Sequence, residues 1–233
     1  MKQSLSMLVL WYGAFLFSMI FHEASHAFTA LRLGDSTAAG SGQASLNPLA
    51  HIRREMTGMV FIPLASFLSA GWMIGWASAP YDPVWARQYP GRFAAMSLSG
   101  PLANLVLVLF VLLVVRVGHG TGVFIAPKSV GFSSVVAGDF TGLWSYLPVF
   151  LSILFSLNIM LFVFNMLPLP ILDGSKLPLF FLSPPHSDRY LNIINNGKFM
   201  LATLVPAWFF FGPIHRPVRL FFINLLYPGV VYG

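Results

Sequence analysis

The sequence predicts an all-α, polytopic membrane protein, and three properties carry this prediction. Only 9% of the 233 residues are charged, whereas an ordinary soluble domain has roughly 25%. Hydrophobic residues make up 57%, and the mean hydropathy is +0.76. At about 1.5 Å per residue, its longer uncharged runs can cross a bilayer core of roughly 30 Å as helices, which excludes a water-soluble globular protein. These runs are Gln3–Phe21, Met56–Tyr81, Phe93–Val115, Phe140–Leu172 and Phe199–Ile214.

The first half of the chain is predicted to form one long helix and a broken apolar segment. The helix runs from about Ser4 to Leu33 and ends at Gly34, where the sequence becomes polar. Residues 35–58 are predicted to lie at the membrane surface, with short extended or β-strand pieces around Ala44–Leu49. Met56–Tyr81 is long enough to span, but its glycines and prolines predict a re-entrant or broken segment.

The second half alternates strong helices with loops. Phe93–Val115 and Leu147–Leu167 are predicted to span, and the glycine-rich loop Gly118–Tyr146 separates them. Two shorter apolar segments follow, Phe199–Pro213 and Leu220–Val231. The sequence therefore predicts about five to six transmembrane or re-entrant segments.

Charge and cysteine content exclude several classes of function. The net charge is +6, but the basic residues are scattered, with Arg53 and Arg54 as the only adjacent pair. Because a nucleic-acid surface needs clustered positive charge, no nucleic-acid partner is expected. The chain has no cysteine, so any metal must be held by histidine and carboxylate.

The first helix carries a metal-binding pattern. His22-Glu23-Ala24-Ser25-His26 matches H-E-x-x-H. Residues four apart share a helix face, so both imidazoles can bind one zinc ion, and Glu23 can take the proton of a metal-bound water. Ionisable groups at membrane depth are costly unless they are satisfied, which favours a functional site. The competing interpretation is structural, with both histidines bonded to carbonyls of neighbouring helices beside a protonated Glu23.

Asp173 is the candidate third ligand, since a catalytic zinc usually has three protein ligands and one open position. It directly follows the uncharged run Phe140–Leu172. It is part of the sequence N-M-L-P-L-P-I-L-D-G, from Asn165 to Gly174. The two prolines break the helix, and non-helical chain at membrane depth is tolerated only where it is buried in protein or lines a wet cavity. The alternative is that Asp173 only caps a short helix at Gly174–Phe181.

Together, the two motifs resemble the site-2 protease family of intramembrane zinc metalloproteases, with every motif position filled. The resemblance covers residues from about 15 to 180, including Ser45–Leu49 with His51, Gly75–Ala77 and Ser99–Asn104. It implies that one Zn²⁺ per chain is bound by His22, His26 and Asp173. It also implies that Glu23 is the general base and that Asn165 helps to hold the substrate or the developing oxyanion.

By the same resemblance, the chain is expected to hydrolyse peptide bonds in or near a transmembrane helix of a membrane-protein substrate. Residues 1–233 are expected to be a single integral-membrane metalloprotease domain without a PDZ or CBS domain. Three places depart from the family pattern: Gln43, where a basic residue is common, Ser45, where threonine is common, and Ser78–Pro83, where relatives often have Lys-Pro-Val-Pro-Val-Asn. An inactive zinc-binding membrane scaffold and a metal or proton transporter remain alternatives.

Two further polar residues are candidates for the site. His51 could touch it from the polar segment, and Asn104 is expected to hydrogen-bond across to the first helix, in packing or at the site itself.

Topology follows from the site itself. For His22 and Asp173 to meet at one depth, their segments must run in the same direction, so Met56–Tyr81 is expected to enter and leave on one side. A further span hidden in Gly118–Tyr146 is the alternative. With re-entry, eight basic residues lie on the zinc side and five on the other, so the positive-inside rule places the site nearer the cytoplasmic face of the inner or plasma membrane. The eight are Arg32, Arg53, Arg54, Arg87, Arg92, Lys176, Arg189 and Lys198; the five are Lys2, Arg116, Lys128, Arg216 and Arg219.

Overall fold

The computed structural model describes residues 4–197 and 204–233, and helices dominate these residues. In chain order, the helices are α1 (Leu5–Arg32), α2 (Thr37–Gly40), α3 (Pro48–Arg54), α4 (Ile62–Ala70), α5 (Pro83–Gln88), α6 (Pro90–Gly120), α7 (Tyr146–Asn165), α8 (Pro184–Ile194) and α9 (Leu204–Leu226). A π-helical turn, Thr57–Phe61, leads directly into α4. Two 3₁₀ helices occupy Gly142–Ser145 and Asp173–Phe180.

Three of the described helices are long and apolar enough to cross a membrane: α1, α6, and α7 with the 3₁₀ turn before it. The 20 residues of α7 extend about 30 Å, which matches the thickness of a bilayer core. Its apolar stretch is 61% buried, against 39% for α1 and α6, so α7 is the most deeply buried of the three. This position explains why α7 is apolar on nearly all sides. The larger count of five to six segments stays a prediction.

Hydrogen bonds between the helices define their directions. The Tyr146 hydroxyl donates to Ser6 Oγ over 3.2 Å, and Asn158 donates to Ser18 Oγ over 2.8 Å. Both pairs advance together along the chain, so α1 and α7 are parallel, as the argument from the metal site requires. His26 contacts the Met96 carbonyl, and His22 contacts Asn104 further along α6. The order is reversed in this pair, so α6 is antiparallel to α1.

The segment Met56–Tyr81 doubles back on itself. Helix α4 ends at Gly71, whose φ of 83° is left-handed and suits glycine. The chain then returns as a non-helical segment, residues 73–82, beside the start of the helix. A Cβ on Gly75 would overlap the Gly58 carbonyl oxygen and lie 2.9 Å from Pro63 Cγ, so the two arms pack too closely for a side chain there.

The region after α1 corrects one prediction. The described residues 35–58 form the short helices α2 and α3 joined by turns, and none of them forms a β-strand around Ala44–Leu49. The reason is local: Asn47 Oδ1 accepts the Leu49 N–H over 3.1 Å, and Pro48 occupies the first helical position. An asparagine cap followed by proline begins a helix, rather than interrupting a strand.

The loop between α6 and α7 contains no further membrane-spanning helix. Its residues 121–145 contain no α-helix and form one antiparallel bridge, Ile125–Ala137, so the alternative of an additional span within Gly118–Tyr146 is excluded. The apolar segments at Phe199–Pro213 and Leu220–Val231 were expected to be separate, but α9 continues through Pro213 and Pro217. Residues 199–203 lie outside the described residues.

Candidate metal centre and catalytic cavity

Three ligand atoms from distant parts of the sequence meet inside the helical bundle. Nε2 of His22 and Nε2 of His26 are 3.0 Å apart. Oδ2 of Asp173 lies 3.2 Å from the first and 3.3 Å from the second. These residues form a group that could hold a metal ion, and both histidines are buried. The structure thus brings together all three ligands predicted from the sequence.

The hydrogen bonds of the two imidazoles direct their lone pairs toward this centre. His26 Nδ1 lies 2.8 Å from the Met96 carbonyl oxygen, which can only accept, so Nδ1–H is the donor. His22 Nδ1 lies 2.6 Å from Oδ1 of Asn104 and donates in the same way. In the neutral tautomers, both Nε2 atoms then carry lone pairs. Two such atoms and a carboxylate oxygen at about 3 Å repel one another unless a metal ion or a proton lies between them.

The distances fit a tetrahedral zinc ion. With bonds of about 2.0–2.1 Å, tetrahedral zinc keeps its ligand atoms about 3.3–3.4 Å apart. The observed separations of 3.0, 3.2 and 3.3 Å are close to this edge length. Two imidazoles with one carboxylate are also a donor set of catalytic zinc sites, which leave a fourth position for water.

Gly100 on α6 provides the space for the centre. A Cβ at this position would overlap Nε2 of His26 and lie 2.7 Å from Nε2 of His22. The next residue, Pro101, has no N–H and leaves the Ser97 carbonyl without its usual helical donor. The glycine therefore keeps α6 from placing a side chain against the two Nε2 atoms.

Asp173 reaches the centre because the chain leaves the helical path after α7. Tight turns follow, with the Leu169 N–H donating to Leu167 O and the Leu172 N–H donating to Leu169 O, each over 2.8 Å. A Cβ on Gly174 would lie 2.6 Å from the Leu167 carbonyl oxygen, so glycine allows the chain to pass close to itself. Leu172 is the N-terminal cap of the 3₁₀ helix and makes no side-chain capping bond. Asp173 is thus not a helix cap, and its carboxylate faces the histidines.

Glu23 lies beside the metal ligands with one oxygen unpaired. Its side chain is 3% exposed, and Oε2 has no hydrogen-bond partner among the described residues. A buried carboxylate oxygen is costly to leave unpaired. This oxygen is therefore available to a group bound in the adjacent cavity.

A cavity of about 440 Å³ opens next to the centre. Glu23 and the three candidate ligands line it, together with Asn165 and Lys176. Asn165 donates to the Leu161 carbonyl over 3.1 Å. Lys176 donates to the Leu172 carbonyl over 2.8 Å; burial lowers the pKa of this ammonium group, and the nearby Asp173 carboxylate opposes the shift. Lys176 was not recognised as a site residue from the sequence.

The returning segment 73–82 forms one wall of the cavity, and polar contacts hold it in place. The Ser78 carbonyl accepts hydrogen bonds from Gln43 Nε2 over 3.0 Å and from Arg54 Nε over 3.2 Å. The Ser78 hydroxyl donates to Glu55 over 2.6 Å. Gln43 and Ser78, which both depart from the family pattern, therefore contact each other.

Asp35, just after the end of α1, binds the last residue of the segment 73–82. Its carboxylate accepts the N–H and the hydroxyl of Thr37 and the N–H of Asp82, at 2.9, 2.5 and 2.9 Å. Desolvation would raise the pKa of Asp35, but these hydrogen bonds outweigh it and lower that pKa.

His51 is close to the site without belonging to the metal group. Its Nε2 donates to the Ser45 carbonyl over 2.9 Å, and Nδ1 is buried without a partner among the described residues. It lies within electrostatic range of Glu23. Asp173 already offers a third ligand atom, so His51 is not needed to complete the group.

The fold and site define a class: a helical integral membrane protein with a His-His-Asp metal centre inside its bundle. The chain belongs to peptidase family M50, whose family model matches residues 11–205. The resemblance to site-2 proteases is therefore confirmed. Zinc is the metal to which both the donor set and the family point.

Two relatives illustrate the similarity. The chain is 32% identical over 161 residues to a Bacillus subtilis (strain 168) protein named "Putative zinc metalloprotease YwhC", a match that covers 69% of this chain and 63% of the relative. It is 30% identical over 222 residues to "Putative zinc metalloprotease Rip2" of Mycolicibacterium smegmatis, covering 87% of this chain and 70% of the relative. The chain thus spans somewhat less than two thirds of the first relative's length. No solved structure matches it significantly.

Proposed function

We propose that this protein is a zinc metalloprotease that hydrolyses peptide bonds in or near a transmembrane segment of membrane-protein substrates. The observation that carries the proposal is the convergence of His22, His26 and Asp173 beside the unpaired carboxylate of Glu23, on the wall of one cavity. Family membership and the names of the relatives support the same chemistry.

Different residues of the chain carry out the metal binding, the proton transfer and the holding of the substrate. His22, His26 and Asp173 hold the metal, which when bound lowers the pKa of its water and polarises the substrate carbonyl. Glu23 takes a proton from the attacking water and delivers it to the nitrogen of the leaving amine. Asn165, on the cavity wall, holds the substrate or the developing oxyanion through its amide.

The substrate is expected to be a membrane-spanning helix that unwinds locally, since a helix buries its carbonyls in its own hydrogen bonds. The wall 73–82 offers a place to hold the unwound chain. The main-chain groups of Ala77 and Ala79 make no hydrogen bond to a described residue, whereas those of Trp76 and Ser78 bond to the protein. Such alternation leaves one edge free for an added strand.

The orientation in the membrane follows the predicted topology. We place the active site nearer the cytoplasmic face of a multi-pass protein in the inner or plasma membrane. Two of the five basic residues assigned to the other side of the membrane lie at the opposite end of the bundle, which supports this assignment. Arg116 donates to the Leu225 carbonyl, and Arg219 donates to the Gly131 carbonyl, so both lie where α6 ends and away from the metal centre.

The distribution of buried ionisable groups disfavours a transporter. Among the described residues, the buried histidine and carboxylate side chains are His22, Glu23, His26, Asp35 and His51, all near the C-terminal end of α1. A proton or metal pathway needs ionisable groups spread through the membrane depth. An inactive scaffold would have no use for the unpaired Glu23 carboxylate.

The experiment compares the wild type with Glu23→Gln in lipid vesicles containing a single-span substrate. We expect both proteins to contain one zinc per chain and the variant to cleave about 10²–10⁴-fold more slowly, because only the proton acceptor is lost. Undiminished cleavage by a zinc-loaded variant would refute the role of Glu23. Zinc binding without cleavage of any membrane substrate by the wild type would favour the scaffold.

A further inference from the structure

Four buried polar side chains connect α1, α6 and α7 behind the metal centre. They are Ser18 and His22 on α1, Asn104 on α6 and Asn158 on α7; the first, third and fourth are 0% exposed. Hydrogen bonds link them in the order Ser18, Asn158, Asn104, His22. Only His22 belongs to the candidate metal group, so the network reaches the centre at one point.

Main-chain carbonyls determine which atom donates at each step. The Ser18 hydroxyl donates to the Ala14 carbonyl over 2.7 Å, because that oxygen can only accept. Ser18 Oγ is therefore free to accept, and Asn158 Nδ2 donates to it over 2.8 Å. The second N–H of Asn158 Nδ2 donates to the Leu154 carbonyl over 2.7 Å. Both amide hydrogens are then used, and Asn158 presents Oδ1 to Asn104.

The orientation of the Asn104 amide determines which nitrogen of His22 carries the proton. Asn104 Nδ2 donates to Asn158 Oδ1 over 2.8 Å and to the Ser18 carbonyl over 3.4 Å. The other atom of the Asn104 amide, Oδ1, is then left to accept Nδ1–H of His22 over 2.6 Å. A proton on Nδ1 places the lone pair of the imidazole on Nε2, the atom that faces Asp173.

We propose that Asn158 is a positioning residue of the metal centre, which acts through Asn104 to keep the His22 tautomer that binds metal. This inference rests on the metal site of the proposed function. His26 needs no such residue, because its Nδ1–H donates to a main-chain carbonyl that cannot rotate. The Asn104 amide can rotate by half a turn, and its Nδ2 would then face His22 and favour a lone pair on the wrong nitrogen. Asn158 prevents this because its Oδ1 requires a donor.

The variant Asn158→Leu removes that acceptor with little change in size. Groups that orient a metal-binding histidine typically change metal affinity by about 10- to 100-fold, so we expect weakening in this range. The matched control is Ser156→Ala on the same helix, whose buried hydroxyl donates to the Phe132 carbonyl over 2.8 Å, outside the network. The control is expected to change zinc affinity by less than about threefold. Zinc affinity is measured by competition with a chromophoric chelator, independently of proteolysis.

A rescue distinguishes positioning from packing. Aspartate at position 104 has only acceptor oxygens when ionised, so it accepts Nδ1–H of His22 whatever lies at position 158. We expect Asn104→Asp combined with Asn158→Leu to bind zinc as tightly as Asn104→Asp alone. Wild-type affinity in Asn158→Leu, or a double variant as weak as Asn158→Leu, would overturn the proposal.

Nitrogen-15 NMR of histidine-labelled, zinc-loaded wild type tests the tautomer without any variant. We expect the proton of His22 on Nδ1 and the metal on Nε2; the reverse assignment would also overturn the inference. If the wild type itself binds no zinc, the metal site of the proposed function fails, and the inference fails with it. Wild-type zinc binding with no effect of Asn158→Leu refutes the positioning role alone.

Discussion

The main-chain N–H of Trp76 donates to the carbonyl of Gly58 over 3.2 Å, and this bond joins the two arms of the segment Met56–Tyr81. The chain leaves through the π turn and α4, reverses at Gly71 and comes back beside its own start. A segment that ends next to where it began does not carry the chain across a bilayer. Thus α6 makes the only crossing expected between α1 and α7.

The first prediction concerns this topology. Because the chain has no cysteine, single cysteines introduced at the exposed positions Ser41 and Gln88 can be labelled without background. We expect an impermeant thiol reagent to label both from the same side of sealed membranes. Ser145, exposed at the start of α7, serves as the control and should be labelled from the opposite side. Labelling of Ser41 and Gln88 from different sides would contradict the re-entrant path.

The second prediction concerns the third ligand. Asp173→Ala removes the only carboxylate oxygen within 3.3 Å of both histidine Nε2 atoms among the described residues. We expect bound zinc, measured by mass spectrometry of the metal, to fall below about a tenth per chain, with a parallel loss of cleavage. Asp139→Ala, at an exposed position, is the control and should keep wild-type zinc. Full zinc content in Asp173→Ala would mean that another group completes the site.

The third prediction tests the space beside the imidazoles. Gly100→Ala places a methyl group where it would overlap Nε2 of His26. We expect zinc affinity to fall at least tenfold, because the imidazoles must move away from the metal position. Gly91→Ala, in the first turn of the same helix, meets nothing within 4 Å and should leave the affinity unchanged. Equal affinities for the two variants would show that the centre does not depend on the close approach of α6.

The fourth prediction concerns Asp35 and pH. Asp35→Ala removes a buried carboxylate that accepts the N–H groups of Thr37 and Asp82, so we expect a loss of about 1–3 kcal/mol in stability at pH 7, measured by urea unfolding in detergent. The pKa of Asp35 is lowered in the folded protein, so its contribution is complete above the ordinary aspartate pKa of about 3.9. It declines as the pH falls through the lower, folded-state value. A stability difference that grows on acidification would contradict this assignment.

The sequence determined the features that depend on local composition and spacing. Long uncharged runs predict the three helices that are long and apolar enough to cross a membrane, and the i, i+4 spacing of His22 and His26 predicts a shared helix face. The prolines before Asp173 predict the non-helical approach to the site. Where the prediction was wrong, as for the strand around Ala44–Leu49, a local capping signal at Asn47 and Pro48 had been overlooked.

Only the tertiary structure revealed the residues that act across helices. Asn158 is a single amide in an apolar run, and nothing in its spacing connects it to His22 on another helix. Gly100 is important because of the imidazoles opposite it, and Gln43 and Ser78 form a pair only because the segment 73–82 turns back. Such contacts depend on how helices pack against one another. Packing is decided by the shape and hydrogen-bonding needs of partners that are far apart in the sequence, so local patterns cannot predict it.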